Sequence, residues 1–232
     1  VTDTSLLIGL RGVTDGDFGW SVNAYYGNNE ADFFINNTVN ASLGSATPRD
    51  FNPGAYEQQD LSLNADFTMP LSDTVSFAFG AEYREEEFSI IAGQRESYID
   101  GGLGSQGFST SSNGFPGFSP AIAGSFDRAN TSVYGDLEWQ ASDALLVAAA
   151  IRFEDFDGFG STTNYKLGAN YALTDSAGIR GTVSTGFKAP TPGQSNASNI
   201  STQLVNGILT NQGVIPSTSP AALLRGGQAL GP

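Results

Sequence analysis

From Ala144 to Lys188 apolar and polar residues alternate with a period of two, and the charges of the strands gather on one face. One set runs Leu145, Val147, Ala149, Ile151, Phe153, then Tyr165, Leu167, Ala169, Tyr171, then Ile179, Gly181, Val183, Thr185, Phe187. The intervening set carries Arg152, Glu154, Lys166, Arg180 and Lys188. Period two means extended chain, because successive side chains point to opposite faces of a sheet. A barrel with an apolar outside and a charged inside is inverted relative to a soluble one. That is the pattern of a barrel held in lipid.

Eight stretches alternate in this way. They are Ser5–Val13, Phe18–Tyr26, Gln58–Met69, Thr74–Phe88, Thr131–Gln140, and three between Leu145 and Lys188. Tight turns near Asp15, Asp73, Asp143 and Asp175 join alternate pairs. The other connections are Gly27–Glu57, Ser89–Asn130, a short corner at Asp157, and everything after Lys188. In a meander, alternate connections lie at opposite ends of the sheet. Short turns at one end and mostly long loops at the other describe an outer-membrane barrel with its short end in the periplasm. The long segments, rich in Gly, Ser, Asn, Pro and Phe, read as irregular and mobile surface structure.

The apolar set also carries aromatic residues near both expected interfaces. Trp20, Phe67, Trp139 and Tyr171 fall near the short turns, and Tyr26, Tyr83, Phe153 and Phe187 near the long loops. Trp and Tyr favour the headgroup level, where one end stays apolar and the other meets water.

Composition narrows the alternatives. With 232 residues the chain is one large domain or two small ones. It has no Cys and no His, which excludes disulfides, thiolate metal sites and imidazole chemistry from this sequence. A net charge of −14 repels phosphate backbones, so nucleic acid is not an expected partner. The longest apolar run, Ala144–Ile151, is far shorter than the ~18 residues of a membrane helix. Val1-Thr2-Asp3-Thr4 does not open a signal peptide. On the lipid reading the chain is therefore expected to be a fragment or a mature segment, and to aggregate when expressed alone. An unclosed barrel leaves two sheet edges and an uncovered apolar face.

The later strands resemble a known family. Asn130-Thr131-Ser132-Val133-Tyr134-Gly135-Asp136-Leu137-Glu138 is similar to a strand of the TonB-dependent outer-membrane receptors. Ile151-Arg152-Phe153-Glu154-Asp155-Phe156 and Asn164-Tyr165-Lys166-Leu167-Gly168 resemble that family's next two strands. Ile179–Pro190 resembles its recurring Arg–small–Ser–x–Gly–Phe–Arg–Ala–Pro segment, with Lys188 in place of the commoner Arg. Gly227–Pro232 resembles the approach to a further strand. The resemblance implies an all-β fold: an antiparallel transmembrane barrel segment of about eight strands, out of usually ~22. Residues 1–232 would then be a partial barrel domain, with the plug domain and remaining strands absent. It also implies the bacterial outer membrane and an energy-coupling TonB complex acting through a missing N-terminal region. The partners would be lipid and a small-molecule or chelated-metal ligand.

Individual residues fall into three groups. Arg84, Asp136, Glu138, Arg152, Glu154, Lys166, Arg180 and Lys188 are expected to face the lumen. They either line a plug or substrate path, or pair across strands simply to hold charge inside a barrel. Glu85-Glu86-Glu87 reads as a solvated strand extension, and Asp155-Phe156-Asp157-Gly158 as a turn that lacks the later ligands of a calcium loop. Phe108, Phe115, Phe118 and Phe126 are candidate ligand contacts, since Phe in a Gly/Ser loop is costly unless it meets something. Alternatively they pack together at the barrel mouth.

No Ser has a His base and no Gly-x-Ser-x-Gly elbow is found, so neither enzymatic activity nor a cofactor is expected. No direct metal ligation is expected either. The function implied is the barrel of an active-uptake receptor for a scarce ligand such as a ferric siderophore, a vitamin or an oligosaccharide. Two alternatives predict different architectures. A complete eight-stranded structural or adhesion barrel would pair its first and eighth strands. A soluble secreted β-sandwich would bury the apolar faces between two sheets.

Overall fold

The computed structural model describes residues 1–205 and 208–228. Eight strands form one antiparallel meander in sequence order. They are β1 (Thr2–Val13), β2 (Gly19–Ile35), β3 (Phe51–Ser72), β4 (Val75–Ala92), β5 (Gly124–Ser142), β6 (Leu145–Phe156), β7 (Gly160–Thr174) and β8 (Ala177–Ser184). A short helix α1 (Pro192–Asn196), a separate hairpin of β9 (Asn199–Val205) and β10 (Ile208–Val214), and α2 (Pro220–Leu223) follow.

The pairing register keeps each face pure across the sheet. One row reads Met69, Phe77, Leu137, Ala149, Leu167, Val183 from β3 to β8. A row on the opposite face reads Asn23, Asn64, Glu82, Ser132, Glu154, Thr162 from β2 to β7. A slip of one residue at any pair would mix them.

Nothing covers the apolar face among the described residues. Leu167 is 51% exposed and Val183 62%, with Leu10 at 69% on the edge strand. The helix that packs on the sheet, α1, sits against β4 and β5 beside Phe88 on the opposite face. An open apolar face of this extent is intolerable in water and is what hydrocarbon tails require. The β-sandwich reading is therefore excluded, because all eight strands share one sheet. The closed eight-stranded reading fails as well: β1 and β8 are the two edges of the sheet and do not pair.

The short turns fall where Asp15, Asp73, Asp143 and Asp175 place them. Asp17 takes the left-handed φ of 55° that a tight turn needs and Asp tolerates. At the other end the strands are longer than expected. β3 has 22 residues and β5 has 19, against the ~9–11 that cross a bilayer. The strands β2 to β5 thus continue as a paired ribbon beyond the lipid. Gly54 shapes its top. Its φ of +115° sits beside the register shift between Phe33 and Ile35, a backbone that a side chain would strain.

The expected loops Gly27–Glu57 and Ser89–Asn130 are correspondingly shorter, spanning residues 36–50 and 93–123. They are not independent surface loops. The Asn40 side chain, fully buried, donates to the carbonyls of Glu96 at 2.9 Å and Ile99 at 3.0 Å. The backbone of Ser42 bonds to Ser109 and to Leu103, and that of Asn113 to Val39. Phe118 N–H and Gly93 N–H close the structure onto Pro53 and Phe118 carbonyls. The two loops form one hydrogen-bonded cap.

Candidate functional site

The charged face is organised differently at its two ends. Toward the cap, strands β3 to β6 bring together a chain of ion pairs. Arg84 grips Asp60 through both its Nε and a terminal nitrogen, and reaches Glu86 at 3.2 Å. Glu86 also binds Arg128. One row lower, Arg152 joins Glu82 at 2.8 Å to Glu154 at 3.1 Å. Glu82 and Glu154 both stand opposite Ser132 in the register, on either side of it. The small Ser132 lets the guanidinium span the two carboxylates, and its hydroxyl is buried without a hydrogen-bond partner among the described residues.

Alternation alone explains why these groups converge, since positions 82, 84 and 86 share one side of β4 and 152 and 154 one side of β6. It also corrects the reading of Glu85-Glu86-Glu87 as a solvated run. Glu86 points inward and is only 7% exposed, while Glu85 lies on the other face and is exposed. Asp60 and Arg128 were not singled out in the sequence. Continuing the inward parity upward from Ser62 on β3 and Ser132 on β5 finds them.

Toward the short turns the same face is open. Asp136, Glu138, Lys166 and Arg180 are on it by register, and none forms an ion pair among the described residues.

Lys188 lies elsewhere. The ladder to β7 ends with the Thr185 N–H bonded to the Tyr165 carbonyl at 2.9 Å. The chain then folds over the charged face. Phe187, expected on the outward face near the long loops, instead packs edge-on against inward Phe156 at 6.0 Å and against Phe159 at 5.8 Å. Counting by twos fails here because the strand ends at Ser184. Lys188, Ala189 and Thr191 line a cleft of about 160 Å³ with Glu82, Glu86, Arg128 and Glu154.

Above the ion pairs lies a cluster of five rings: Phe33, Tyr56, Phe88, Phe115 and Phe118. Phe118 stacks on Tyr56 at 4.8 Å and Phe115 meets Phe33 at 5.1 Å. Tyr56 joins Phe88 at 5.2 Å. Burial in this cluster, in the ribbon above the bilayer, pushes the Tyr56 phenol above its ordinary pKa. Of the four loop phenylalanines, Phe115 and Phe118 thus anchor the cap, and Phe118 is 2% exposed. Phe126 stands opposite Phe88 on β5. Phe108, at 49% exposure, projects from the cap. Asp155–Gly158 is the β6–β7 corner, and no cluster of three or more potential metal ligands occurs among the described residues.

Known proteins share this architecture. The family model described as TonB dependent receptor-like, beta-barrel matches residues 1–227. The chain is 33% identical over 67 residues to the vitamin B12 transporter BtuB of Vibrio cholerae serotype O1, covering 28% of this chain and 10% of that protein. It is 34% identical over 74 residues to BtuB of Vibrio vulnificus, covering 32% and 12%. The ferric enterobactin receptor PfeA of Pseudomonas aeruginosa, solved as a mutant, superposes with a TM-score of 0.59 at 17% identity, over 90% of this chain and 29% of that one. The siderophore receptor PirA of Acinetobacter baumannii superposes at 0.58 and 16% identity, over 92% and 30%. The chain spans about a tenth of the curated relatives and about three tenths of these solved chains.

Proposed function

Since this chain belongs to the TonB-dependent receptor β-barrel family, whose members are transport receptors of the bacterial outer membrane, we propose that it is one stretch of the wall of an active-uptake barrel. In this reading residues 1–232 supply about eight strands of a larger barrel, and the plug and remaining strands belong to the rest of the receptor. Its ligand is scarce outside the cell: a ferric siderophore, a vitamin or an oligosaccharide. Any iron arrives within its chelator, which suits a chain that has neither thiolate nor imidazole to bind it directly. Uptake is driven by the TonB complex.

The observation that carries this reading is the division of one open sheet into a lipid-ready apolar face and a charged face topped by a folded cap. Arg84, Asp136, Glu138, Arg152, Glu154, Lys166, Arg180 and Lys188 then line the lumen. Phe108 is the ligand contact favoured here, because it is the one of the four phenylalanines whose side chain is exposed. Barrel walls do no bond-making chemistry in this scheme.

The test is uptake by cells carrying the receptor that contains this chain. Radiolabelled ferric siderophores, cobalamin and oligosaccharides are offered with TonB present or deleted. Accumulation of one class that disappears without TonB is the expected result. The reading is overturned if no class accumulates, or if the protein stays folded and monomeric in buffer without detergent.

A further inference from the structure

We infer that Phe187–Asn196 is a strap that narrows the passage along the charged face, and that Arg128 is its latch. The inference rests on the reading above that this face lines a ligand path.

The strap is tied down at several points, and Arg128 makes one of these ties directly and supports a second through Phe156. The Arg128 side chain donates to the Pro190 carbonyl on the strap and binds Glu86 on the wall. Its guanidinium also lies 5.4 Å from the centre of the Phe156 ring. Phe156 in turn packs against Phe187 at the start of the strap. One side chain thus couples the wall, the strap and the aromatic contact that seats the strap's entry. Guanidinium suits this role, with several donors in a planar fork and a face that stacks on rings.

The strap itself is stiff. Pro190 and Pro192 fix two backbone angles, and α1 opens on a reciprocal cap between Thr191 and Gln194. Its far end rests against Phe88, whose ring lies within 3.1 Å of where a Cβ on Gly193 would fall. Gly186 precedes the strap and has open space around it. A rigid body with a free glycine at its root moves as a unit when its ties are cut. Beneath it lies the cleft where Lys188 joins the carboxylates of Glu82, Glu86 and Glu154. Lifting the strap would uncover these charges.

The test reads access to a thiol. The sequence contains no Cys, so an introduced thiol is unique within these residues. Ala189→Cys reports the strap, since Ala189 is 7% exposed, and Ser184→Cys reports an exposed position on the same face outside it. Each is placed in the full receptor in outer-membrane vesicles and reacted with a small impermeant maleimide. The expected result is slow labelling of A189C against S184C. Arg128→Met should accelerate A189C by about tenfold, the scale of losing a charge-assisted hydrogen bond, and leave S184C unchanged. Should R128M not fold, Glu86→Gln loosens the same latch from the wall side and carries the same expectation. Labelling of A189C as fast as S184C in the parent overturns the strap. Equal labelling of A189C with and without an intact latch overturns Arg128's role. No ligand enters this assay, so a strap that behaves as expected in a receptor that accumulates nothing would sink the transport reading alone.

Discussion

Tyr134 on β5 donates its phenol to Asp66 on β3 at 2.8 Å, passing over the whole width of β4. The crossing is possible because Gly80 stands opposite Tyr134 in the register. A Cβ at Gly80 would lie 2.5 Å from the tyrosine ring, 2.7 Å from the Ala65 carbonyl and 2.9 Å from the Asp66 carboxylate. Neither the ring nor the β3 backbone can give way without breaking the bond or the ladder. Gly80→Ala should therefore destabilise the sheet by about 1–3 kcal/mol, the usual cost of overpacking. Gly181→Ala, with open space around it, should be near neutral. Urea unfolding of the receptor in lipid vesicles distinguishes the two, and equal midpoints would remove the steric argument.

Neighbouring glutamates should respond very differently. Glu86 is buried between Arg84 and Arg128, whereas Glu85 is exposed on the opposite face. Glu86→Ala leaves Arg128 largely buried with its carboxylate partner gone, and loss of one member of such a pair costs about 3–5 kcal/mol. Arg84 keeps Asp60 and is 41% exposed, which places the effect at the lower end. Glu85→Ala should fall within about 0.5 kcal/mol of the parent. The same unfolding measurement decides between them.

A charge placed on the apolar face reports whether lipid covers it. Leu167→Arg should cost about 2–4 kcal/mol if it lies near the bilayer midplane. Thr182→Arg, on the charged face of the adjacent strand, should be tolerated. Folding yield into vesicles, read from heat-modifiable migration on gels, gives the comparison. Tolerance of L167R alongside T182R would mean that something other than hydrocarbon meets that side.

The strands were legible in the sequence as far as lipid enforces alternation, and no further. Phe18–Tyr26 and Gln58–Met69 alternate because one side must be apolar. Above them Asn28, Asn29 and Glu30 pair with Gln59, Gln58 and Glu57, polar on both faces, so extended chain leaves no periodic trace. Phe33, Tyr56 and Phe88 keep the inward parity of their strands, yet each reads alone as a stray aromatic until the register joins them. Phe187 misled for the opposite reason, since alternation in residue type ran on for two positions after the ladder had ended. Asn40 gave no signal at all, because its partners are backbone carbonyls more than fifty residues away, and backbone has no sequence.

That last residue supplies a test of the cap. Asn40 spends its amide on Glu96 and Ile99 and accepts from the hydroxyl of Ser42 at 2.7 Å. Ser42 in turn receives the Gly101 N–H at 2.8 Å. Asn40→Ala removes both donors from part-buried carbonyls, each costing about 1 kcal/mol or somewhat more when left unsatisfied. The β-ladders share none of these bonds, so the loss should stay local. Hydrogen exchange in residues 93–123 should quicken in N40A while amides of β6 and β7 keep the parent's protection. Faster exchange throughout the sheet would show that cap and barrel unfold as one unit. No change anywhere would mean that the loops are held by the aromatic cluster of Phe33, Tyr56 and Phe118 alone.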